Sequence, residues 1–462
     1  MPINSFADYP MSWEPKICKD SKSLYLALAK QLEQDILGGK LLPGTKLPPQ
    51  RELADFLDIN VSTVSKAFKT CELKGLLSAT IGSGTYVSYG ALSNLRLLTD
   101  ETPKHIIEMG AIVPDYDANK LILPYLQEMV NEPDAQRLLE YSRPGNALWQ
   151  KDAAVIYMKK CGLVTERNNI LFSNGGQNAI VGVLAGLLKH GDRIGSTPHT
   201  YSDIKSAAVR LGVQLVPINL TGNEIDSDAL IYACRNSNLK GVYIISDHQN
   251  PTTHTMTDSA RRELADIARK LDIFIVEDGT YHLISGQKTP IAAYAPERTI
   301  YIAGLSKAIA PGLRLAFLSV PDKYRAGVSD ALYTMSVCVT TLTAELTSRM
   351  IVSGHIDAIL EAHKEKTVFR NRLVNKYLSG YDCRGDDNCI FRWLCLPGEI
   401  SGAEFEMLAL ERGVQVYAAE RFVIGNATPD RAVRLAICGP SLSELERGLQ
   451  VLKELLESIE VK

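Results

Sequence analysis

The sequence lacks the features that are typical of secreted proteins, of proteins with a structural metal site and of membrane-spanning proteins. Its nine cysteines are scattered without a Cys-x-x-Cys pair, and the closest three, Cys383, Cys389 and Cys395, match no common zinc-binding pattern. The longest clean apolar run, residues 179–188, is about half of what a bilayer requires. The N-terminus has no basic-then-apolar signal pattern. We therefore expect reduced thiols, no metal site, no membrane contact and a cytoplasmic location.

The chain also has little net charge. Its 462 residues, 45% apolar and 22% charged, have the composition of a globular protein of about two or three domains. The formal net charge is −3, and residues 22–88 hold eight Lys and Arg against six Asp and Glu, a balance of +2. Such a weak positive charge does not by itself indicate that this segment binds nucleic acid.

Three helices and a hairpin are predicted in residues 22–88. Apolar side chains recur every fourth residue from Leu24 to Ile36, which predicts an amphipathic helix. A short helix is predicted over Gln50–Leu57, and a third helix has its apolar stripe between Val61 and Cys71. Apolar segments on both sides of Gly82-Ser83-Gly84 predict a hairpin of the size of a wing.

The outer face of the third predicted helix carries short hydroxyls and flexible cations. Such groups bond phosphate oxygens and base edges when a helix enters the major groove of DNA. Helix spacing alone leaves open the alternative that this segment is an ordinary small three-helix piece. The candidate DNA contacts on this face are Ser62, Thr63, Ser65, Lys66 and Lys69.

The order of these segments resembles the GntR family of winged-helix regulators. The resemblance is carried by four motifs at fixed spacing: Leu42-Pro43-Gly44-Thr45-Lys46-Leu47-Pro48, Arg51-Glu52-Leu53-Ala54, Val61-Ser62-Thr63-Val64 and Gly82-Ser83-Gly84-Thr85-Tyr86-Val87. It implies a winged helix-turn-helix that binds a double-stranded DNA operator. It also adds four residues to the candidate DNA contacts: Arg51, Gly82, Ser83 and Gly84.

From Ile106 onward, short apolar strands alternate with helical segments. This alternation favours an α/β fold, with a mostly parallel sheet covered by helices on both faces and ligands at the carboxyl ends of the strands. The predicted strands include residues 171–172, 193–195, 241–245, 273–276 and 299–303, and the predicted helices include residues 178–188 and 259–270.

Lys307 directly follows one of these strands, and Arg314 comes seven residues later. A lysine at the mouth of a buried strand, with an arginine nearby, suits a Schiff base to pyridoxal phosphate in which the arginine binds the phosphate. Asp278 ends the preceding strand, where a buried carboxylate needs a partner. The protonated pyridine nitrogen of this cofactor is one such partner, and an ordinary helix cap or ion pair is the alternative.

Other polar residues at predicted strand ends are weaker candidates. Gly175-Gly176-Gln177 opens a helix, where free amides attract phosphate, although a Gly-Gly turn alone is weak evidence. Asn250 and Tyr281 are placed to bond the ring oxygen of the cofactor. Tyr201 is placed to stack on the ring, although a tyrosine after a strand is more often plain packing.

Taken in order, these residues resemble the site of the fold type I aminotransferases. The resemblance implies an aldimine of pyridoxal phosphate at Lys307, a pyridine nitrogen bound by Asp278, and an amino-acid carboxylate bound by Arg434. Because such sites lie at dimer interfaces, it also implies a homodimer in which Tyr141 reaches the phosphate of the neighbouring subunit. The further cofactor contacts that it implies are Gly176, Gln177, Tyr201, Asn250, Tyr281, Ser306 and Arg314.

The sequence departs from this family pattern at three places. Gly304 stands where the family often has Ser or Thr, so one phosphate hydroxyl is missing. Pro144-Gly145 stands in place of a Pro-x-Gly, and Trp149 stands where an arginine commonly follows leucine. These differences bear on the substrate pocket more than on the cofactor site.

A GntR-like head joined to an aminotransferase-like body resembles the MocR subfamily of GntR regulators. We therefore predict a regulator that depends on pyridoxal phosphate and senses an amino compound or a B6 vitamer through Lys307. The alternative is an active aminotransferase with an appended DNA-binding head, because Lys307, Asp278 and Arg434 suffice for the first half-reaction. The predicted organisation is an arm (1–21), a winged helix-turn-helix (22–88), a linker (89–104) and an aminotransferase-like domain (105–462).

Overall fold

The computed structural model describes residues 12–17, 23–37, 40–41, 45–80, 84–88, 106–142, 147–286 and 288–460. The predicted linker and most of the predicted arm lie outside these ranges, as do Gly82, Ser83 and Pro144-Gly145. The chain divides into two compact units, one comprising Met1–Ile106 and Ala403–Gln415, the other Ile107–Gly402 and Val416–Lys462.

The first unit contains the predicted helices and hairpin. Asn60 begins the third helix, because its side chain accepts a hydrogen bond from Ser62 N at 2.8 Å. Leu32, Leu53 and Phe68 belong to one buried core shared by the three helices. The winged helix-turn-helix fold is thereby confirmed. Its elements are α1 (Leu24–Leu37), α2 (Gln50–Leu57), α3 (Val61–Leu73) and the antiparallel strands β1 (Leu77–Thr80) and β2 (Gly84–Val87).

Part of the predicted arm belongs to this folded unit. Trp13 is buried in the same core, and its Nε1 donates a hydrogen bond to Asp35 Oδ2 at 2.7 Å. The arm was inferred from prolines and missing periodicity, and a single buried side chain leaves no periodic pattern. Trp13 therefore packs with the helices of this unit.

A seven-stranded sheet forms the centre of the second unit, and its neighbouring strands are parallel except at one strand. That strand, β12, runs antiparallel to both of its neighbours. The α/β prediction is confirmed, although β12 itself was not predicted. In spatial order the strands are β4 (Ile170–Ser173), β12 (Ala316–Ser319), β11 (Thr299–Gly304), β10 (Phe274–Asp278), β9 (Leu239–Ile244), β5 (Arg193–Ser196) and β6 (Gln214–Pro217).

The second unit also contains helices and a second sheet, whereas residues 403–415 belong to the first unit. The helices are α4 (Leu123–Val130), α5 (Leu148–Lys160), α6 (Gly176–Leu187), α7 (Ser202–Leu211), α8 (Ser227–Ser237), α9 (Asp258–Lys270), α10 (Ile291–Tyr294), α11 (Asp322–Ser336), α12 (Thr341–Val352), α13 (Ile356–Leu378), α14 (Gly402–Glu411) and α15 (Leu442–Glu460). The remaining strands are β3 (Ile107–Glu108), β7 (Leu220–Thr221), β8 (Glu224–Ile225), β13 (Cys383–Arg384), β14 (Phe391–Cys395), β15 (Val414–Gln415), β16 (Tyr417–Ala418) and β17 (Ala432–Ala436).

The second sheet presents Arg434. It has the order β13-β14-β17-β16, and Arg434 on β17 is paired with Trp393 on β14 and with Tyr417 on β16. A central strand buried on both sides fixes the direction of a side chain, so Arg434 is held at a defined position. In the part of the chain that is described, no helix is both long and apolar enough to cross a membrane.

Helix α9 illustrates how the sequence builds the layers around the central sheet. The Thr257 side chain accepts a hydrogen bond from Ala260 N at 3.3 Å and begins the helix. Leu264, Ala265 and Ala268 recur at helical spacing and are buried in one core with residues of β9 and β10. This amphipathic pattern covers one face of the strands whose ends form the site.

Candidate functional site

Three neighbouring parallel strands deliver the main candidate residues to one edge of the central sheet. Asp278 is the last residue of β10, Asn250 follows β9, and Lys307 follows β11. Because β9, β10 and β11 are parallel, their carboxyl ends meet at the same edge. The structure therefore brings together residues that are up to 57 positions apart in the sequence, which runs from Asn250 to Lys307.

The Lys307 side chain is half-buried, and its amine has an unusual acidity. Burial, followed by the nearby charges of Arg434 and Arg314, lowers the pKa of Lys307 to about 8. Its Nζ donates a hydrogen bond to the backbone oxygen of Ile112 at 2.5 Å. A substantial fraction of this amine is therefore neutral near pH 8, and a neutral amine is the form that attacks a carbonyl group.

Asp278 is a buried carboxylate, only 6% exposed, with donors on both oxygens. Oδ2 accepts from the Tyr243 hydroxyl at 2.8 Å, and Oδ1 accepts from the Thr280 hydroxyl at 2.6 Å and from Thr280 N at 3.1 Å. Burial nevertheless raises the pKa of Asp278, which shows that these neutral donors do not fully replace water. A cationic partner would stabilise the ionised form.

Arg434 is directed at the same site from the second sheet. Its Nη1 donates to Asn250 Oδ1 at 2.6 Å and its Nη2 to the backbone oxygen of Gly110 at 2.6 Å. Its Nε is buried and has no hydrogen-bond partner among the described residues. Tyr281 is buried beside Arg434 and Asn250, and burial raises the pKa of its phenol. Arg434 thus offers a guanidinium with unused bonding capacity.

The start of α6 combines groups that suit a phosphate. Helix α6 begins at Gly176, and Gly175 before it has a φ of 88°. A Cβ on Gly175 would lie 2.7 Å from Arg314 Nη2, so only glycine lets the arginine approach this helix start. Arg314 Nη1 also donates to Ser306 Oγ at 3.4 Å, and Gln177 Oε1 is buried without a partner among the described residues.

Tyr201 and Tyr141 have different positions. The Tyr201 hydroxyl donates to Asp203 Oδ2 at 2.6 Å, and burial together with the nearby charge of Asp203 raises the pKa of Tyr201. Tyr141 is 84% exposed and forms an isolated bridge with Thr340. The described chain does not bring Tyr141 to its own site.

The arrangement fits pyridoxal phosphate. A phosphate needs the amides and cation at the start of α6, a pyridine nitrogen needs the buried Asp278 carboxylate, and an aldehyde needs the Lys307 amine. The unpartnered buried atoms of Gln177 and Arg434 provide further polar groups. Reasoning from sequence missed Tyr243 and Thr280, which both hold Asp278. Thr280 lies inside the Asp-x-x-Tyr motif, whereas Tyr243 resembles any buried strand residue.

The predicted DNA-contact face on α3 is only partly free. The Ser65 hydroxyl donates to Gln50 Oε1, and the Lys66 amine lies 4.4 Å from the centre of the Tyr25 ring. Lys69 pairs with Glu72 of the same helix at 3.1 Å. Ser62 and Arg51 are exposed, as is Gly84, the described part of the predicted wing. The Ser65 hydroxyl is thus engaged within the unit.

Fold and site together define an aminotransferase-like body that carries a winged helix-turn-helix head. Residues 104–452 match the family of class I and II aminotransferases, and residues 24–87 match the gntR family of bacterial regulatory proteins. The chain belongs to the aminotransferase class I and II family and, with its gntR-family head, has the architecture of the MocR-type transcription regulators.

Similar proteins include regulators and aminotransferases. The chain is 56% identical over 461 residues to the uncharacterized HTH-type transcriptional regulator YdeF of Bacillus subtilis (strain 168), with 99% of this chain and 100% of that protein covered. It is 23% identical to the HTH-type transcriptional regulator NorG of Staphylococcus aureus (strain N315), with 71% and 81% covered. Alignment to a solved archaeal alanine:glyoxylate aminotransferase gives a TM-score of 0.71 at 22% identity and covers 79% of this chain and 93% of that one.

A second solved structure gives the same result. Pyrococcus horikoshii kynurenine aminotransferase aligns with a TM-score of 0.72 at 20% identity, and the alignment covers 80% of this chain and 95% of that one. Likeness at this level of identity establishes the fold of the body. The protein is therefore a GntR-type regulator whose large domain has the aminotransferase fold.

Proposed function

We propose that the protein is a cytoplasmic homodimer that binds a DNA operator and senses an amino compound or a B6 vitamer with pyridoxal phosphate held at Lys307. The observation that carries the proposal is the half-buried Lys307 amine, which bonds the Ile112 backbone oxygen and has a pKa lowered to about 8, in a chain that has a GntR-type head. The surrounding Asp278, Arg314 and Arg434 supply the remaining contacts that this cofactor and an amino acid need.

Each residue has a definite task in this proposal. When bound, the cofactor supplies an aldehyde that amines capture reversibly and a ring that withdraws electrons. Lys307 holds that aldehyde with its neutral amine, and Asp278 keeps a proton on the pyridine nitrogen. Arg314, with the start of α6, binds the phosphate. Tyr281 and Asn250 bind the ring oxygen, and Tyr201 packs on the ring.

Arg434 selects ligands that carry a carboxylate. In the structure its two terminal nitrogens donate hydrogen bonds to Asn250 Oδ1 and to the Gly110 backbone oxygen, both at 2.6 Å. A ligand carboxylate binds a guanidinium through two parallel hydrogen bonds, which are stronger than bonds to neutral oxygens. A carboxylate bound through Nη2 would therefore compete with the Gly110 oxygen for that nitrogen.

This exchange gives the ligand a route to regulation. Gly110 and Ile112, whose backbone oxygens bond Arg434 and Lys307, follow strand β3 near the start of the second unit. The cofactor at Lys307 would replace the bond to Ile112, and a ligand at Arg434 would then replace the bond to Gly110, which favours a second arrangement of residues 110–112. The ligand changes the DNA-bound population only by its differential affinity for the two arrangements, typically about 1–3 kcal/mol.

The surface around Tyr141 supports the proposed dimer. Leu139, Tyr141 and Leu148 are exposed by 87%, 84% and 65% of their surface, and Val352 by 59%. A homodimer interface needs exposed apolar side chains of this kind, provided that they form one contiguous patch. A homodimer would cover them and would place Tyr141 against the phosphate of the partner site.

An active aminotransferase is the second candidate function. It is supported by the presence of Lys307, Asp278 and Arg434, the three residues that the first half-reaction needs. The two candidates are distinguished by screening amino acids with a keto-acid acceptor. Multiple turnovers support the enzyme, whereas a single stalled adduct supports the sensor.

DNA footprinting tests the proposed function. The full-length protein is incubated with DNA from upstream of its own gene, with and without pyridoxal phosphate and a panel of amino compounds. We expect a specific protected site whose occupancy changes with cofactor or ligand. The matched control Lys307→Ala should bind the same site and lose the response. The absence of specific protection under every condition would rule the proposal out.

A further inference from the structure

Position 304 has no room for a side chain. Gly304 is the last residue of β11 and lies three residues before Lys307. A Cβ built on Gly304 would be 2.6 Å from the hydroxyl oxygen of Thr280, closer than real Cβ contacts allow. The serine or threonine that the family resemblance leads one to expect at position 304 is therefore incompatible with Thr280 in its present conformation.

The Thr280 hydroxyl occupies the space between the two ends of the cofactor site. On one side it donates to Asp278 Oδ1 at 2.6 Å. On the other side it lies 3.7 Å from the point where a Cβ on Gly176 would stand, at the start of the phosphate-binding helix α6. A hydroxyl in this place is within the region that a phosphate at the start of α6 would enter.

We propose that Thr280 supplies the phosphate hydroxyl that position 304 lacks. The family resemblance leads one to expect this hydroxyl at the end of β11. In this chain the segment that follows the neighbouring strand β10 supplies it instead. Thr280 and Gly304 are therefore one coupled pair, since the hydroxyl at Thr280 requires glycine at position 304. The inference rests on the proposed function, because it assigns a residue to its cofactor.

The hydrogen-bond inventory of Asp278 allows this role. A threonine hydroxyl has a single proton, which in the structure is given to Asp278 Oδ1. A protonated pyridine nitrogen is a new and stronger donor to the same carboxylate. The Tyr243 hydroxyl and Thr280 N remain as donors to Asp278, so the hydroxyl proton of Thr280 is released to turn toward the phosphate.

Cofactor titration of single variants tests each half of the pair. The dissociation constant of pyridoxal phosphate is measured on the full-length protein from the absorbance of the bound cofactor. Thr280→Ala should weaken binding about 10- to 100-fold, as expected for the removal of one hydrogen bond to a charged group, and Thr280→Ser should stay close to the native protein. Gly304→Ser should also weaken binding, because its Cβ meets the Thr280 hydroxyl.

The double variants test the coupling. Thr280→Ala with Gly304→Ser restores a hydroxyl from the other strand end and removes the collision, so it should bind more tightly than either single variant. Thr280→Ala with Gly304→Ala removes the collision without a hydroxyl and should stay as weak as Thr280→Ala. Circular dichroism melts of all variants separate weaker cofactor binding from a failure to fold.

Binding of pyridoxal, which lacks the phosphate, is measured for comparison. It distinguishes a Thr280 hydroxyl that bonds the phosphate from one that only supports Asp278. If the hydroxyl acts on the phosphate, the weakening caused by Thr280→Ala is seen with pyridoxal phosphate and disappears with pyridoxal. Equal weakening with both ligands, or no recovery in the serine double variant, overturns the inference while leaving the proposed function intact. If the native protein binds no pyridoxal phosphate, both the inference and the proposed function are wrong.

Discussion

At the scale of single residues, Lys307 is not the only half-buried lysine with a lowered pKa. Burial also lowers the pKa of Lys205 to about 8, and its amine donates to the Arg421 backbone oxygen at 3.0 Å. Acidity alone therefore does not identify the cofactor lysine. Lys307 differs because it follows β11, the strand beside β10 and its terminal Asp278, and because Arg434 and Arg314 lie near its amine.

We expect the rate of cofactor capture to rise with pH and to level off above about pH 8. Only the neutral amine attacks the aldehyde, so the neutral fraction of Lys307 grows through its pKa of about 8, whereas an ordinary lysine near 10.5 would still be rising. Stopped-flow absorbance at a series of pH values measures this.

Two lysine variants complete that experiment. Lys307→Ala should abolish both the absorbance of bound cofactor and the mass increase after borohydride reduction, and Lys205→Ala should retain both. Capture by Lys307→Ala with the native pH profile would show that another amine holds the cofactor.

Sequence reasoning found the residues that directly follow buried apolar strands and missed those that reach the site from elsewhere. Lys307 and Asp278 stand at strand ends, where a charged side chain is conspicuous. Tyr243 lies inside an apolar strand, and its hydroxyl reaches Asp278 because Tyr243 is paired with Val276, two positions before Asp278 on the same face. The register between β9 and β10 is not readable from one sequence.

At the scale of elements, contacts between helices were the least predictable. The periodicity of α3 places Ser65 and Lys66 on its outer face, yet the Ser65 hydroxyl bonds Gln50 of α2 and Lys66 lies over Tyr25 of α1. The spacing of apolar residues shows which face of a helix is buried. It does not show which polar side chains at the edge of the exposed face contact other helices. The antiparallel β12 was missed for a related reason, since strand direction follows from connectivity in space.

A close approach between α6 and α11 fixes the helix that presents the phosphate site. A Cβ on Gly186 would lie 2.5 Å from the backbone oxygen of Gly327, and neither backbone has room to move away. Gly186→Ala should therefore lower the free energy of unfolding by about 1–3 kcal/mol, despite the better helix propensity of alanine.

Urea denaturation measures this change, and Gly380→Ala is the matched control because its added Cβ meets no atom within 4 Å. We expect the control to change stability little. Equal stabilities of the two variants would mean that α6 and α11 are able to separate without cost, and then the position of Gly176 does not depend on this packing.

At the scale of the whole molecule, charge limits how the protein binds DNA. The net charge is −3, and residues 22–88 have a balance of only +2. A duplex attracts such a protein weakly, so binding must depend on a few cations placed at phosphates rather than on overall attraction. Two heads in a dimer would double the number of these cations.

Lys69 is the α3 cation with the greatest freedom to bind a DNA phosphate. Its side chain is 69% exposed and its pair with Glu72 is local to the helix, whereas the Lys74 amine is bonded to Glu33 of α1 at 2.6 Å. Lys69→Gln should weaken binding to operator and random DNA alike. It should also reduce the slope of log affinity against log salt by about one for each phosphate that the protein no longer neutralises.

Lys74→Gln is the matched control for this prediction. It should leave the salt slope unchanged, because the charge of Lys74 is already neutralised by Glu33 within the unit. A salt titration followed by fluorescence anisotropy measures both slopes. If Lys69→Gln gives the same slope as the native protein, the exposed face of α3 does not bind the phosphates, and the wing or Arg51 must supply the cations and amides instead.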